Sequence, residues 1–520
     1  MSEQERLEEY VSIVPSVNQK AIQRQRFNVF FHYGLNTFSA KEWGDGKADP
    51  KIFNPTQQDT DQWVRTVKEA GAYGVILTCK HHDGFCLWQT KTTDYSVAQS
   101  PYKGGKGDVV KEVSDSCRKF GIKFGIYLSP WDRNHESYGI DRYNDVYCEQ
   151  LEELLTGYGE IFCVWLDGAC GSYMDGKPKQ VYDWDRYFST IRRLAPNACI
   201  SNCGPDVRWV GNEGGFARES EWNVVPKFAF DIQSIESKSQ QSDESDFAKK
   251  EVDVNSSDLG SRDFLKNFDN FIWYPAEVDV SIRPGWFYHK SQDKSVRSLK
   301  NLLKIYYTSV GGNSILLLNA PPDRRGLLHE NDVKRLQELG NHIKESEAQL
   351  LNVKSILAPI AEEGKDIQGV IEYSFDDTTF DPTNYYTPKE EQSSYEIKIE
   401  LEETVKINRL QLVENVAYSQ RIEKFEIHAF VKDEYVKVFD GTTVGYGRIA
   451  TFKAVKTDKV KVVLTSVRKK PHIEFVGVYS DNGVLIKDTL RQKFVKWLHH
   501  VNYITYIRRE NKKSKKNNSQ

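Results

Sequence analysis

From about residue 26 to residue 322 the chain repeats one theme: a short apolar run, a polar loop, then a helical pattern. This alternation restricts the fold more than any other feature. The apolar runs are NVFFHYG (Asn28–Gly34), YGVILTCKHHDGF (Tyr73–Phe85), GIKFGIYLSPW (Gly121–Trp131), IFCVWLDGA (Ile161–Ala169) and NACISNC (Asn197–Cys203). FIWYPAEVDVSI (Phe271–Ile282) and SILLLNAPP (Ser314–Pro322) follow. Between them, DTDQWVRTVKEAG (Asp59–Gly71) opens on capping acids, carries apolar residues at helical spacing and stops on a glycine. GDVVKEVSDSCRKFG (Gly107–Gly121) does the same. Strands alternating with helices over this length predict an α/β fold, a (β/α)8-like TIM barrel, with chemistry just after the strands.

At 520 residues the chain is too long for one ordinary core. After about residue 345 the period changes. SYEIKIELEETVKINRLQLVEN and IEKFEIHAFVKDEYVKVFDGTTVG alternate apolar and polar residues between turn signals, which predicts an antiparallel β-sandwich reaching about residue 480. The expected divisions are therefore a catalytic barrel over 1–345, a sandwich over 346–482 and a basic tail over 483–520. Gln233–Asp263 is Ser- and charge-rich and reads as a mobile loop inserted in the barrel. The tail, ending RRENKKSKKNNSQ, reads as disordered rather than as a nucleic-acid site.

A net charge of -3 gives no reason to expect nucleic acid or an anionic membrane as a partner. No stretch approaches the roughly 20 apolar residues of a membrane span. The start, MSEQERLEEYVSIVPS, has acids where a signal peptide would be basic, so a cytoplasmic protein is expected. All eight cysteines fall within the first 203 residues, and none forms a CxxC pair, which argues against zinc or redox motifs. The eleven Trp residues are a richer hint, because indole faces pack against the apolar faces of sugar rings.

Strand-end logic brings His32, His81, His82, Tyr127, Trp131, Asp167 and Asn202 to one rim, and nearby loops add Glu42, Trp43, Glu213 and Trp286. VWLDGACG ends a well-buried run on an acid, Asp167, immediately before a glycine, which is how many enzymes present a nucleophile or base. The adjacent His81 and His82 in TCKHHDGF cannot both be core, and lacking a well-spaced third ligand they suit a hydroxyl-rich ligand better than a metal. Glycoside cleavage needs a second carboxylate. Glu213, among glycines in RWVGNEGGFARESEW, leads the candidates, with Glu219, Glu221 and Glu277 as competitors. Trp165 lies two before Asp167 and so shares its face, and Trp43 and Trp286 would add apolar walls.

Together, FFHYGLNTFSAKEWGDG, TCKHHDGFCLWQTKTTDYSV, GIKFGIYLSPWDRN, VWLDGA, RWVGNEGG and GGNSILLLNAPPDRRG resemble the α-L-fucosidases of glycoside hydrolase family 29. The resemblance is closest to the branch acting on α-1,3/1,4-linked fucose in Lewis-type glycans. It implies a retaining double displacement with no metal or other cofactor and a fucosylated oligosaccharide as partner. Asp167 then looks like the nucleophile and Glu213 like the acid/base. His32, Glu42, Trp43, His81, His82, Tyr127, Trp165 and Trp286 look like fucose-binding positions. The sandwich is similar to the discoidin-like, carbohydrate-binding domain that usually follows this barrel. Two rival readings are a glycosidase of the same barrel acting on another sugar, and a non-catalytic fucose-binding protein. Oligomeric state is not legible.

Overall fold

The computed structural model describes residues 2–171, 178–231, 258–371 and 383–481. Most of the expected inserted loop, Gln233–Asp263, and the whole of the basic tail lie outside the described residues.

Eight parallel strands close into a barrel. In order around it they are β1 (Phe27–Phe31), β2 (Gly74–Lys80), β3 (Lys123–Leu128), β4 (Ile161–Leu166), β5 (Cys199–Asn202), β6 (Val207–Trp209), β9 (Ala276–Ser281) and β10 (Ile315–Asn319). A short two-stranded antiparallel sheet of β7 (Val224–Pro226) and β8 (Phe271–Trp273) stands between β6 and β9 in the chain. The capping signals act as the sequence predicts. Asp59 accepts the Gln62 N–H at the start of helix Thr60–Glu69, and Asp108 accepts the Lys111 N–H at the start of helix Val109–Phe120. Gly121 then ends the second helix in the left-handed region, at φ 67°.

Two features depart from simple alternation. FIWYPAEVDVSI is not one strand. Pro275 cannot donate to a ladder, and the chain there leaves the β7–β8 pair to enter the barrel as β9. Secondly, β5 and β6 are parallel neighbours with only Cys203–Asp206 between them, although parallel strands ordinarily need a long crossover. Asp206 closes this reversal. Its carboxylate accepts the Ile200 N–H at 2.8 Å and both oxygens meet the Arg192 guanidinium at 2.6 Å. Asn202, expected at the rim, serves the same turn: it sits at φ 65° and donates to the Leu166 carbonyl.

Side chains alternate along each strand, and the alternation sorts the barrel. Val29, Leu77, Ile126, Val164, Val278 and Leu318 face the surrounding helices in one large core. Phe30, Ile76, Tyr127, Cys163, Trp165, Val207, Ile315 and Leu317 fill the interior. Helix Val17–Arg24 closes the N-terminal end with Ile22, while Gln19 donates to the carbonyls of Asp206 and Trp273. The opposite, C-terminal end is where the inward series turns polar. All eight cysteines are buried as free thiols. No helix among the described residues is long and apolar enough to cross a membrane.

Beyond helix Glu330–Glu347 comes an antiparallel sheet in the order β11 (Val353–Leu357), β12 (Tyr395–Glu414), β15 (Arg448–Val467), β13 (Ile422–Val431) and β14 (Glu434–Gly441), with β16 (Ile473–Tyr479) on β12. It wraps as a β-sandwich around one core that includes Ile397, Leu410, Phe425, Val462 and Val476. Polar bridges bind it to the barrel. Asn313 donates to the Glu221 carbonyl and accepts the Tyr446 N–H, and Gln420 also donates to the Glu221 carbonyl.

The Asp206 clasp yields a stability prediction. Asp206→Ala removes a charge-assisted pair in which both oxygens meet one guanidinium nitrogen, and leaves the Ile200 N–H without its acceptor, so chemical denaturation should show a loss of about 2–4 kcal/mol. A loss below about 0.5 kcal/mol would show that the reversal holds without it.

Candidate active site

The inward positions nearest the C-terminal ends of the strands supply most of the mouth: His32 beyond β1, Tyr127 on β3, Asp167 beyond β4, Trp209 on β6, Glu277 and Asp279 on β9, and Asn319 on β10. Asp167 is fixed at both oxygens. Tyr127 Oη donates to Oδ2 at 2.8 Å, and the Ala169 N–H donates to Oδ1 at 2.8 Å. His82 Nε2 stands 3.8 Å from Oδ2.

Three imidazoles run from Asp167 across the mouth, with ring centroids 4.1 Å apart for His82 and His81 and 5.7 Å apart for His81 and His32. His81 and His82 were not expected both to be buried, yet both are, because the mouth itself is enclosed. Burial holds all three well below the ordinary histidine range, His32 at about 3 and His82 at about 4, so they are neutral at pH 7. Their partners assign the tautomers. The Asn319 amide nitrogen is committed to Ser281 and the Trp286 carbonyl, so its oxygen accepts from His32 Nδ1 at 2.9 Å. Ser129 donates to the Trp131 carbonyl, so its oxygen accepts from His82 Nδ1 at 2.8 Å. The Asn36 amide nitrogen, which also meets the Glu42 carbonyl, lies 3.5 Å from His81 Nδ1. His32 and His82 therefore present Nε2 as acceptors, and His81 presents Nε2–H as a donor.

The far wall is a loop clamped by Glu42. Its Oε2 accepts the Trp286 N–H at 2.8 Å, and its Oε1 meets His289 Nε2 at 2.7 Å. A Cβ at Gly285 would run into Glu42 Oε1, so the close approach needs that glycine. Trp286 lies 5.0 Å from the His32 ring and donates its indole N–H to Glu213 Oε2 at 3.2 Å. Trp43 packs edge-on against Trp131 and His82, at 5.5 and 5.7 Å. Trp165 stacks on Tyr127 at 5.4 Å, and its indole N–H goes to Glu277 Oε1 at 2.7 Å.

The competing acids have distinct fates. Glu221 is fully buried but accepts from Arg208 and Arg218, which hold its carboxyl below the usual range despite burial. Glu219 is exposed. Glu277 faces into the barrel, where burial pushes it to about 7, and its Oε2 has no protein partner among the described residues. Glu213 is pushed up by burial, by Asp279 and, more weakly, by Asp167 and Glu42. Asp279, which accepts the Trp209 indole N–H at 2.8 Å, is pushed up in turn, chiefly by burial. Asp279, Trp209, Asn319 and His289 were not read from the sequence. The alternation in AEVDVS, with valines toward the helices, was the signal that pointed both acids inward. No group of His, Cys, Asp and Glu among the described residues is arranged to hold a metal ion.

A family model described as alpha-L-fucosidase matches residues 47–347. An Arabidopsis thaliana protein named alpha-L-fucosidase 1 is 39% identical over 478 residues, covering 90% of this chain and 88% of its own. The chain belongs to the α-L-fucosidase family. Among solved structures, a putative α-L-fucosidase from Bacteroides ovatus is 42% identical at a TM-score of 0.79, covering 94% of this chain and 78% of that one. A Ruminococcus gnavus GH29 fucosidase in complex with fucose is 28% identical at a TM-score of 0.77, covering 90% and 95%. This α-L-fucosidase is accordingly a glycoside hydrolase, and its barrel followed by a sandwich is the architecture of those structures.

Glu277 offers a test of the buried-acid description. The folded enzyme keeps its proton to about pH 7, whereas an exposed glutamate loses it near 4.5, so the associated stability is present below pH 4.5 and lost as pH rises to 7. Glu277→Gln should therefore gain several degrees of melting temperature relative to wild type between pH 4.5 and pH 8. An offset equal at both pH values would contradict the assignment.

Proposed function

We propose that the chain is a retaining exo-α-L-fucosidase that removes α-1,3/1,4-linked fucose from branched, Lewis-type oligosaccharides, with Asp167 as nucleophile and Glu213 as acid/base. The observation that carries this reading is the contrast between the two carboxylates. Asp167 is held by two donors in line with β4, whereas Glu213 is pushed toward its protonated form among other acids. Fucose bound in the R. gnavus relative supports the sugar. The linkage preference rests on the motif pattern.

In this mechanism Asp167 Oδ attacks the anomeric carbon while Glu213 gives its proton to the departing glycosidic oxygen, leaving a fucosyl ester and a free aglycone hydroxyl. Glu213, now ionised, takes a proton from water, whose oxygen attacks the same carbon and expels Asp167. Two inversions return fucose in its original configuration. His32 and His82 accept from sugar hydroxyls and His81 donates to one, so a sugar lacking a matched hydroxyl would leave a buried nitrogen unpaired. Trp43 and Trp286 offer apolar faces to the ring and its methyl group. Glu42 acts through the Trp286 loop as well as toward the sugar.

Turnover of a Lewis-type trisaccharide, an α-1,2-fucosylated trisaccharide and an aryl α-L-fucoside by wild type, Asp167→Ala and Glu213→Ala tests the reading. The branched sugar should be preferred. Glu213→Ala should lose roughly 10²- to 10⁴-fold on it. Asp167→Ala should be inactive until azide restores release of an inverted fucosyl azide. Near-normal turnover by Asp167→Ala would remove the nucleophile assignment, and binding of fucose without turnover by wild type would favour a lectin-like role.

A further inference from the structure

The mechanism above uses the half-buried Glu213 on this side of the mouth and leaves the buried Asp279 without a task. Asp279 is 4% exposed and projects inward from β9, two residues after Glu277. The segment carrying Glu213 is laid along that same strand. Val210 N–H donates to the Glu277 carbonyl at 2.9 Å, and Gly214 bridges Val280 in antiparallel fashion. Gly215, at φ 81°, lets the turn press onto Ile305 and Val280. Loop and strand are thus tied on both sides of Glu213, which sets its backbone alongside the strand that carries Asp279.

Two indoles distinguish these acids. Trp209 donates to Asp279 at 2.8 Å, and Trp286 donates to Glu213 at the longer 3.2 Å. A shorter donor contact favours the charged form more strongly. The other groups bearing on the pair are acids as well: Asp167 from β4 acts on both, Glu277 on Asp279, and Glu42 on Glu213. The guanidiniums of Arg208 and Arg218 are paired with Glu221. Like charges so placed resist ionising together, so each acid raises the other's hold on a proton.

We propose that Asp279 is a positioning residue for the reaction: held by the Trp209 indole, it carries the negative charge of a proton-sharing pair and directs the single shared proton to Glu213. This rests on Glu213 being the acid/base. After Glu213 protonates the leaving oxygen, the pair is briefly doubly ionised, which favours prompt removal of a proton from the incoming water and restores the starting state. No atom of Asp279 needs to touch the sugar.

The test is the pH profile of kcat/KM for a fucosylated oligosaccharide, whose poor leaving group needs the acid, beside an aryl fucoside with a good leaving group. Asp279→Asn should move the basic limb down by at least one pH unit, a tenfold or greater loss on the alkaline side, while moving the acidic limb much less and leaving the aryl substrate far less affected. Trp209→Phe retains both carboxylates. It should lower the oligosaccharide plateau severalfold and move the basic limb up by the logarithm of the same factor, because the proton then also resides on Asp279, while the rate on the alkaline side stays unchanged. An unmoved basic limb in Asp279→Asn, or an equal loss at every pH and on both substrates, would overturn the proposal. Should Asp279→Asn fail to fold, an unchanged plateau in Trp209→Phe would overturn it too. Glu213→Gln run in parallel separates the two claims: if it keeps the wild-type basic limb, the assignment of Glu213 fails, whereas a lost limb there with an unmoved one in Asp279→Asn sinks only the role of Asp279.

Discussion

A closed parallel barrel sends every second side chain into one narrow interior, and the polar residues that arrive there near the strands' C-terminal ends must satisfy one another in a nearly dry space. The mouth of this α-L-fucosidase is arranged by that constraint. Inward positions begin as Ile315, Leu317, Phe30 and Ile76 and end as Asn319, His32, Asp167 and Asp279. Since few donors reach so many acids, each is met by specific ones. Tyr127 and the Ala169 amide take Asp167, while three indoles, Trp165, Trp209 and Trp286, each take one of Glu277, Asp279 and Glu213. Neutral histidines fill the gap between them. Burial and neighbouring acids push Glu213 and Asp279 up, and burial alone pushes Glu277 up, so the proposed acid role falls on a carboxyl whose surroundings favour its proton.

The loop that carries Glu213 owes its shape to neighbours on both sides. Toward the barrel it bridges β9. Away from the mouth, the buried Glu221 binds Arg208 and Arg218, and its carbonyl accepts from Asn313 and from Gln420 of the sandwich. Thr442 and Arg448, also in the sandwich, donate to the Glu219 carbonyl. The second domain thus buttresses the segment just after the acid. Such a buried ion cluster contributes little net stability, but removing one partner strands the others and costs about 3–5 kcal/mol.

Much of this was legible in the chain. Apolar runs marked the barrel strands because both of their faces are covered, and aspartates and glycines marked helix ends because those positions need a side-chain acceptor or a left-handed backbone. Asp167 was legible because an acid directly follows a buried strand. The β5–β6 reversal was not, since Asp206 depends on Arg192 from the preceding helix, a contact no local pattern announces. The role of Glu42 was only partly visible, because its grip on the Trp286 loop joins residues far apart in sequence. Asp279 was missed although EVDV alternates clearly, because the Pro275 break sits inside a run that looks continuous.

The most direct test of the central claim is to trap the intermediate. Reaction with a 2-deoxy-2-fluoro-α-L-fucosyl donor bearing a good leaving group, followed by proteolysis and mass spectrometry, should find one fluorofucosyl group esterified to Asp167, and reactivation should release the fluorosugar. A stable label on another carboxylate, or inversion of configuration with no label at all, would contradict the account.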